Sequence, residues 1–392
     1  MSGLKIAIVH PSLDTYGGAE KIILWLASAL KAQGHQPTVF ACSFNNQALR
    51  KLFAAQKITL QQLPLTRYVF NWVYRFDVAA WLLRNYFIDF DLINVHHYPS
   101  AIWVTRARHD HKHFPKIVWT CHEPPRSLYA PVLVRQQRLD PRFREQSDRE
   151  YHSAQFQKLR DADLKAVTVV DHIIANSMYT AACVRQIYGR QAETVYFGLP
   201  EITANNPPPG NPQNYAVWVG RLEAYKNVSL LLDVCRQLRD QGHWPSGFQL
   251  KLIGQGPLAS EVDTYIQTQR LQTELQRTGF VDEPALEQLL SNAAFGIYLP
   301  LDEPMGLVPM ELGRYGRACL VSDCCGPSEV VMDGVTGLHA KALDADDIAR
   351  KLRWLWNHPD EVRHWGAAAR MRTHEKFKIS NLAQALVNYH AS

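Results

Sequence analysis

The chain has 392 residues, 46% hydrophobic and 20% charged, which is enough for two sizeable cores and excludes a disordered polymer. No run of about eighteen apolar residues occurs, which excludes a membrane-crossing helix. The net charge of +5 is uneven: residues 1–200 hold 24 Lys and Arg against 15 Asp and Glu, and residues 201–392 hold 18 against 22. That basic half favours an anionic partner or membrane surface; the imbalance is too mild to imply nucleic acid, no nucleic-acid-binding motif supports one, and no nucleic-acid partner is expected.

The start, Met1-Ser2-Gly3-Leu4-Lys5, has no charged-then-apolar leader, and seven cysteines without a Cys-x-x-Cys pair fit reduced thiols. A cytoplasmic protein is therefore expected. Cys324 and Cys325, side by side at a glycine turn, read as small apolar side chains.

In chain order, residues 5–10 form a β-branched run bounded by Pro11, then a turn through Gly17 and Gly18, then a helical pattern over 19–33 stopped by Gly34. Strands are expected at 37–42, 92–96, 117–122, 173–176 and 194–197, with helices between most of them. Residues 200–214 contain Pro207-Pro208-Pro209-Gly210 and Pro212 with almost no apolar residues, a linker by composition. The alternation then resumes, with strands at 215–219, 248–253, 295–299 and 319–322 and helices at 228–241, 258–271, 285–293 and 344–357.

Strands alternating with helices predict an α/β fold of two doubly wound, Rossmann-like domains facing each other across a cleft. The expected divisions are 1–200 for an acceptor-side domain, 201–213 for a hinge, 214–375 for a donor domain and 376–392 for a C-terminal helix packing back on the first. Ligands bind outside the carboxyl ends of such strands.

The most informative segment is Pro300-Leu301-Asp302-Glu303-Pro304-Met305-Gly306-Leu307-Val308-Pro309-Met310-Glu311. On one continuous helix, glutamates eight positions apart would sit about 80° and two turns apart, too far to share a ligand atom. A better reading puts Glu303 on a loop, Pro309 at the first helical position and Glu311 in the first turn. The amides of Gly306, Leu307 and Val308 then become free donors for an anion. One carboxylate can hold sugar hydroxyls, the other ribose hydroxyls, and the backbone between them phosphate.

This Glu-x7-Glu segment resembles the signature of the family 4 retaining glycosyltransferases, which have the GT-B fold, and the likeness extends over nearly the whole chain. Gly17-Gly18-Ala19-Glu20 resembles the family's glycine-rich turn. Gly220-Arg221-Leu222-Glu223 with Lys226-Asn227 is similar to its basic diphosphate motif. Gly254-Gln255-Gly256-Pro257, Gly279-Phe280-Val281 and Gly326-Pro327-Ser328-Glu329-Val330-Val331 follow in the family's order.

The resemblance implies roles residue by residue. Arg221 and Lys226 neutralise the donor diphosphate, so that no metal is needed. Glu303 holds the donor sugar, Glu311 the ribose, and Val281 and Glu283 read the base. Gly17 and Gly18 let backbone approach phosphate without a Cβ. His122, in Thr120-Cys121-His122-Glu123-Pro124-Pro125-Arg126, stands beside the sugar. That run is similar to the His-x-Pro run of mannosyltransferases.

With Glu283, whose carboxylate suits the N1–H and N2–H donors of guanine, the favoured donor is GDP-mannose; a UDP-hexose remains the alternative. The acceptor is then a glycan or lipid-linked sugar. A catalytically silent sugar-nucleotide sensor is the non-enzyme alternative. The pattern departs from the family at Met305, where an aromatic is common, and at Arg314, where small residues are common.

Three features stand outside the motifs. His96, His97, His109, His111 and His113 suggest metal spacing, but 109, 111 and 113 diverge in either regular structure, and a solvated loop is the expectation. The aromatic stretch 68–88, with Arg67, Arg75 and Arg84, could rest on an anionic bilayer, giving peripheral contact with the inner face of a membrane. Packing on the first domain is the favoured reading. The basic stretch 135–149 is either a contact for a phosphorylated acceptor or a surface helix.

Overall fold

The computed structural model describes residues 3–64, 81–108, 113–129, 152–201 and 210–391. These fall into two compact units: residues 3–201 with 378–391, and residues 210–377. The basic stretch 135–149, residues 68–80 of the aromatic stretch, His109, His111 and hinge residues 202–209 lie outside the described residues.

The first unit is built on a seven-stranded parallel sheet, ordered β3-β2-β1-β4-β5-β6-β7. Its strands are β1 (Lys5–Val9), β2 (Gln36–Ala41), β3 (Thr59–Gln62), β4 (Leu92–His96), β5 (Lys116–Cys121), β6 (His172–Ala175) and β7 (Glu193–Thr194). Apolar runs such as Ile6-Ala7-Ile8-Val9 are fully buried, as expected for parallel strands covered on both faces. Helices Ala154–Val169 and Met178–Tyr188 begin at Ser153 and Ser177, whose hydroxyls accept from Phe156 and Thr180 amides. Each such cap is worth about 1 kcal/mol.

The C-terminal helix Ile379–Ala391 belongs to this first unit. The Ile379 amide donates to Leu199 O at 2.9 Å, Asn381 Nδ2 to Tyr196 O at 2.9 Å, and Lys116 Nζ to Tyr389 O at 3.2 Å. The Tyr389 ring also stacks on His172 with centroids 4.1 Å apart.

The second unit carries a six-stranded parallel sheet, ordered β10-β9-β8-β11-β12-β13. Its strands are β8 (Tyr215–Val219), β9 (Gln249–Ile253), β10 (Leu275–Gly279), β11 (Gly296–Tyr298), β12 (Cys319–Ser322) and β13 (Gly337–Ala340). Where β9 ends, Gly254 has φ +136°, and a Cβ there would lie 2.0 Å from Gly220 O, so only glycine lets these two turns touch.

Helix Leu307–Arg314 starts two residues earlier than the sequence suggests. Gly306 is its N-cap at φ +96°, Pro309 occupies the third helical position and Glu311 the fifth, in the second turn. A proline is tolerated that far in because first-turn amides have no intrahelical acceptor. Helix Leu307–Arg314 packs closely on helix Pro359–Lys376: a Cβ on Gly313 would fall 2.3 Å from Thr373 Oγ1.

Among the described residues no helix is long and apolar enough to cross a membrane, and all seven cysteines are free thiols.

Candidate functional site

In both sheets the strand order reverses once, and a reversal opens a crevice at the carboxyl ends of two neighbouring strands. In the second unit the reversal lies between β8 and β11. The loop leaving β8 carries Arg221 and Lys226, and the loop leaving β11 carries Glu303. The two loops are tied together where the Leu301 amide donates to Tyr225 O at 2.9 Å.

Lys226 and Glu303 meet there. Lys226 Nζ lies 2.6 Å from Glu303 Oε2 and 2.8 Å from Tyr298 OH, with side-chain exposures of 11% and 18% for the pair. The ammonium also stands 5.0 Å and 5.1 Å from the ring centroids of Tyr225 and Tyr298. Burial pushes the Tyr225 phenol up to about 12, so it stays a neutral hydrogen-bonding group here.

The Glu303 loop is pinned from behind. The Gly326 amide donates to Glu303 O at 2.9 Å, and Ser322 Oγ to Pro300 O at 2.6 Å. A Cβ on Gly326 would lie 2.1 Å from Pro304 O. Glu303 is therefore held on a rigid loop beside a fixed cation.

The other candidates of this unit are placed as follows. Arg221 is 69% exposed and pairs with Glu223 (Nε to Oε1, 2.8 Å), so the structure does not bring it to Glu303. Gly306, Leu307 and Val308 open helix Leu307–Arg314, with the amides of Leu307 and Val308 in its first turn. Glu311 is partly buried one turn further on. Val281 packs partly into the core after β10, while Glu283 is exposed at the start of helix Glu283–Asn292. That helix is capped by Asp282, whose Oδ1 accepts from the Ala285 amide at 3.0 Å.

In the first unit the reversal lies between β1 and β4. Gly17 caps helix Gly18–Ala32, its amide donating to Glu20 Oε2 at 2.9 Å, and Glu20 Oε1 accepts from Thr15 Oγ1 at 2.7 Å. Around the strand ends stands a cluster of four histidines. His122, after β5, lies with Nε2 2.9 Å from His96 Nδ1 and stacks on His97, centroids 4.8 Å apart at 2°. His97 meets His10 edge-on at 5.1 Å.

Burial holds all four below their ordinary value. His10 is lowered to about 3, by burial first and His97 second; His96 and His122 fall well below it, and His97 is lowered too. Near neutral pH the cluster is uncharged and works by hydrogen bonding, not as a cationic patch.

This corrects the solvated-loop expectation for His96 and His97. His96 is fully buried at the end of β4, and His97 is partly buried against His10 and His122. His113 is exposed. His10 and His96 were missed as site residues; His10 directly follows β1 and His96 ends β4, the two strands flanking the reversal. Among the described residues no group of three or more His, Cys, Asp or Glu is placed to hold a metal ion.

Two parallel Rossmann-like units, each with polar groups at the strand-order reversal, define the GT-B class of glycosyltransferase folds. Solved structures of that class match over the whole chain. Anabaena HepE in complex with UDP-glucose superposes with a TM-score of 0.74 at 16% identity, covering 99% of each chain. Sucrose-phosphate synthase from Thermosynechococcus elongatus gives 0.74 at 19%, covering 99% of this chain and 98% of its own.

The sequence profile described as Glycosyltransferase Family 4 matches residues 16–199, and that of Glycosyl transferases group 1 matches residues 201–372. The chain belongs to the family 4 glycosyltransferases. Its relatives include the D-rhamnosyltransferase WbpZ of Pseudomonas aeruginosa, 27% identical over 53% of this chain and 56% of that protein. The alpha-1,3/1,6-mannosyltransferase ALG2 of Dictyostelium discoideum is 22% identical over 98% of this chain and 97% of its own length. The match to WbpZ thus spans little more than half of that relative, whereas the match to ALG2 runs end to end.

Proposed function

We propose that the chain is a retaining, metal-independent hexosyltransferase. It moves mannose from GDP-mannose to a hydroxyl of a glycan or lipid-linked sugar. The observation that carries this reading is the Lys226–Glu303 pair, 2.6 Å apart at the strand-order reversal of the second unit. There one fixed cation and one fixed carboxylate stand side by side, the pair of charges that a sugar diphosphate requires. We assign residues 214–375 as the donor domain and 1–200 as the acceptor-side domain.

Lys226 neutralises the diphosphate, and the amides of Gly306, Leu307 and Val308 add hydrogen bonds to it. Arg221 exchanges its exposed contact with Glu223 for the same group, at little cost because exposed ion pairs are weak. Glu303 accepts from donor-sugar hydroxyls, and Glu311 from ribose. Val281 and Glu283 flank the base, Gly17 and Gly18 approach phosphate, and His122 approaches the sugar.

In the reaction the bond from the anomeric carbon to the diphosphate oxygen breaks. The acceptor oxygen bonds that carbon on the same face, and its proton passes to a phosphate oxygen of the leaving group. Free thiols at all seven cysteines support a cytoplasmic setting.

The printed activity of Dictyostelium ALG2 supports mannose. The UDP-glucose held by Anabaena HepE supports the second reading, a UDP-hexose donor. Thermal unfolding with GDP, UDP and ADP separates them. A nucleotide at 100 times its Kd stabilises the native state by about 2.7 kcal/mol. GDP is expected to raise the midpoint most; a rise with UDP or ADP and none with GDP would overturn the guanine reading.

A further inference from the structure

Asn94, His96 and His122 form a chain of hydrogen bonds whose direction the geometry fixes. Asn94 Nδ2 lies 3.1 Å from Val118 O and 2.8 Å from Thr120 Oγ1. A backbone carbonyl only accepts, so the amide nitrogen faces β5 and the amide oxygen faces His96. Asn94 Oδ1 is 2.5 Å from His96 Nε2, and as an acceptor it requires a proton on that nitrogen.

His96 is fully buried and neutral, so its other nitrogen, Nδ1, is bare. That bare nitrogen lies 2.9 Å from His122 Nε2, which must therefore donate. His122 is neutral as well, so its proton sits on Nε2 and its Nδ1 is a lone-pair acceptor. The ring is held by His97 against one face and by Phe197 edge-on at 5.9 Å.

We infer that Asn94 and His96 are positioning residues that lock His122 in its Nε2–H tautomer, so that Nδ1 accepts a hydrogen bond from a hydroxyl of the substrate. The inference rests on the reading of His122 as the residue beside the donor sugar, and it deepens that reading. A locked neutral acceptor recognises hydroxyls and makes no ion pair with phosphate. It also gives up no proton to a leaving group.

The test has two arms. Long-range 1H–15N correlation on the full-length protein, labelled in histidine and assigned with His122→Gln, reads the tautomer near pH 7.5 without any donor present. A protonated Nε2 and bare Nδ1 on His122 support the relay; a protonated Nδ1 or a charged ring overturns it, whatever the activity.

The second arm compares His96→Phe, which removes the acceptor, with His96→Gln, whose side-chain oxygen can replace it. His96→Phe is expected to mix the His122 tautomers and lower kcat tenfold or more, while His96→Gln recovers to within about threefold, one hydrogen bond being worth about a factor of ten. Mixed tautomers with unchanged kinetics would overturn the contact of His122 with substrate and leave the relay standing. The tautomer itself is read on the wild-type protein, the His122→Gln spectrum serving only to assign the resonance.

Discussion

Replacing Lys226 with alanine is expected to lower kcat for nucleoside diphosphate release by about 10²- to 10³-fold, the usual cost of deleting one preorganised donor to developing negative charge. The ammonium is held in place before substrate arrives, by Glu303 Oε2 at 2.6 Å and Tyr298 OH at 2.8 Å. A water molecule filling the gap supplies a dipole but no charge.

The same change leaves the Glu303 carboxylate, 18% exposed, without its cation, which costs about 1–3 kcal/mol of stability. The double variant Lys226→Ala with Glu303→Gln separates the two effects. It recovers most of the stability because no unpaired charge remains, and none of the rate. Steady-state kinetics with denaturant unfolding reads both, and a rate loss below tenfold in the alanine variant would contradict the assigned role.

Acidification should destabilise the first unit steeply below pH 6.5. His10, His96, His97 and His122 all have folded values depressed below the ordinary 6.5, His10 to about 3. Above 6.5 neither folded nor unfolded chain protonates them, and they leave stability unchanged with pH. Below 6.5 the unfolded chain binds protons that the folded cluster refuses, so stability falls as pH falls.

Each histidine that stays neutral in the folded state contributes a slope of up to about 1.4 kcal/mol per pH unit once the unfolded chain is protonated, and these contributions add. Asp163 opposes them. Burial raises its carboxyl from 3.8 to about 6 against its hydrogen bonds from Tyr188 and Tyr129, so the folded state gains a proton there between those values. One group against four leaves the net slope steep. Urea unfolding at pH 7.5, 6.5, 5.5 and 4.5 checks it. Equal stability at 7.5 and 5.5 would contradict a neutral buried cluster.

Central strands were legible in the sequence because they are buried on both faces and read as continuous apolar runs, as in Tyr215-Ala216-Val217-Trp218-Val219. The strands without a sequence signal, β3, β10 and β13, each lie at a sheet edge. Thr59-Leu60-Gln61-Gln62 is exposed or half-exposed along its length, and Leu275-Gln276-Arg277-Thr278-Gly279 buries one side chain. An edge strand is specified by the neighbour it pairs with, which local pattern does not contain.

The site divides the same way. Glu303 and Lys226 stand out as candidates from their motifs, but their contact spans 77 positions and arises only because β11 pairs with β8. The histidines at 10, 96, 97 and 122 converge because β1, β4 and β5 are neighbours. Read along the chain, His96 and His97 look continuous with the run at 109–113. Strand order is what joins them to His10 and His122 instead.

Sugar transfer from a nucleotide donor is tested most directly by incubating the chain with GDP-mannose or UDP-glucose and a panel of hydroxyl acceptors, in the presence of a chelator. Released nucleoside diphosphate and the anomeric configuration of the product are then read by NMR. Release matched by a product that keeps the donor's α configuration is the predicted result. Nucleotide sugar that binds tightly and is never broken down, with any acceptor, would contradict it and identify a sensor.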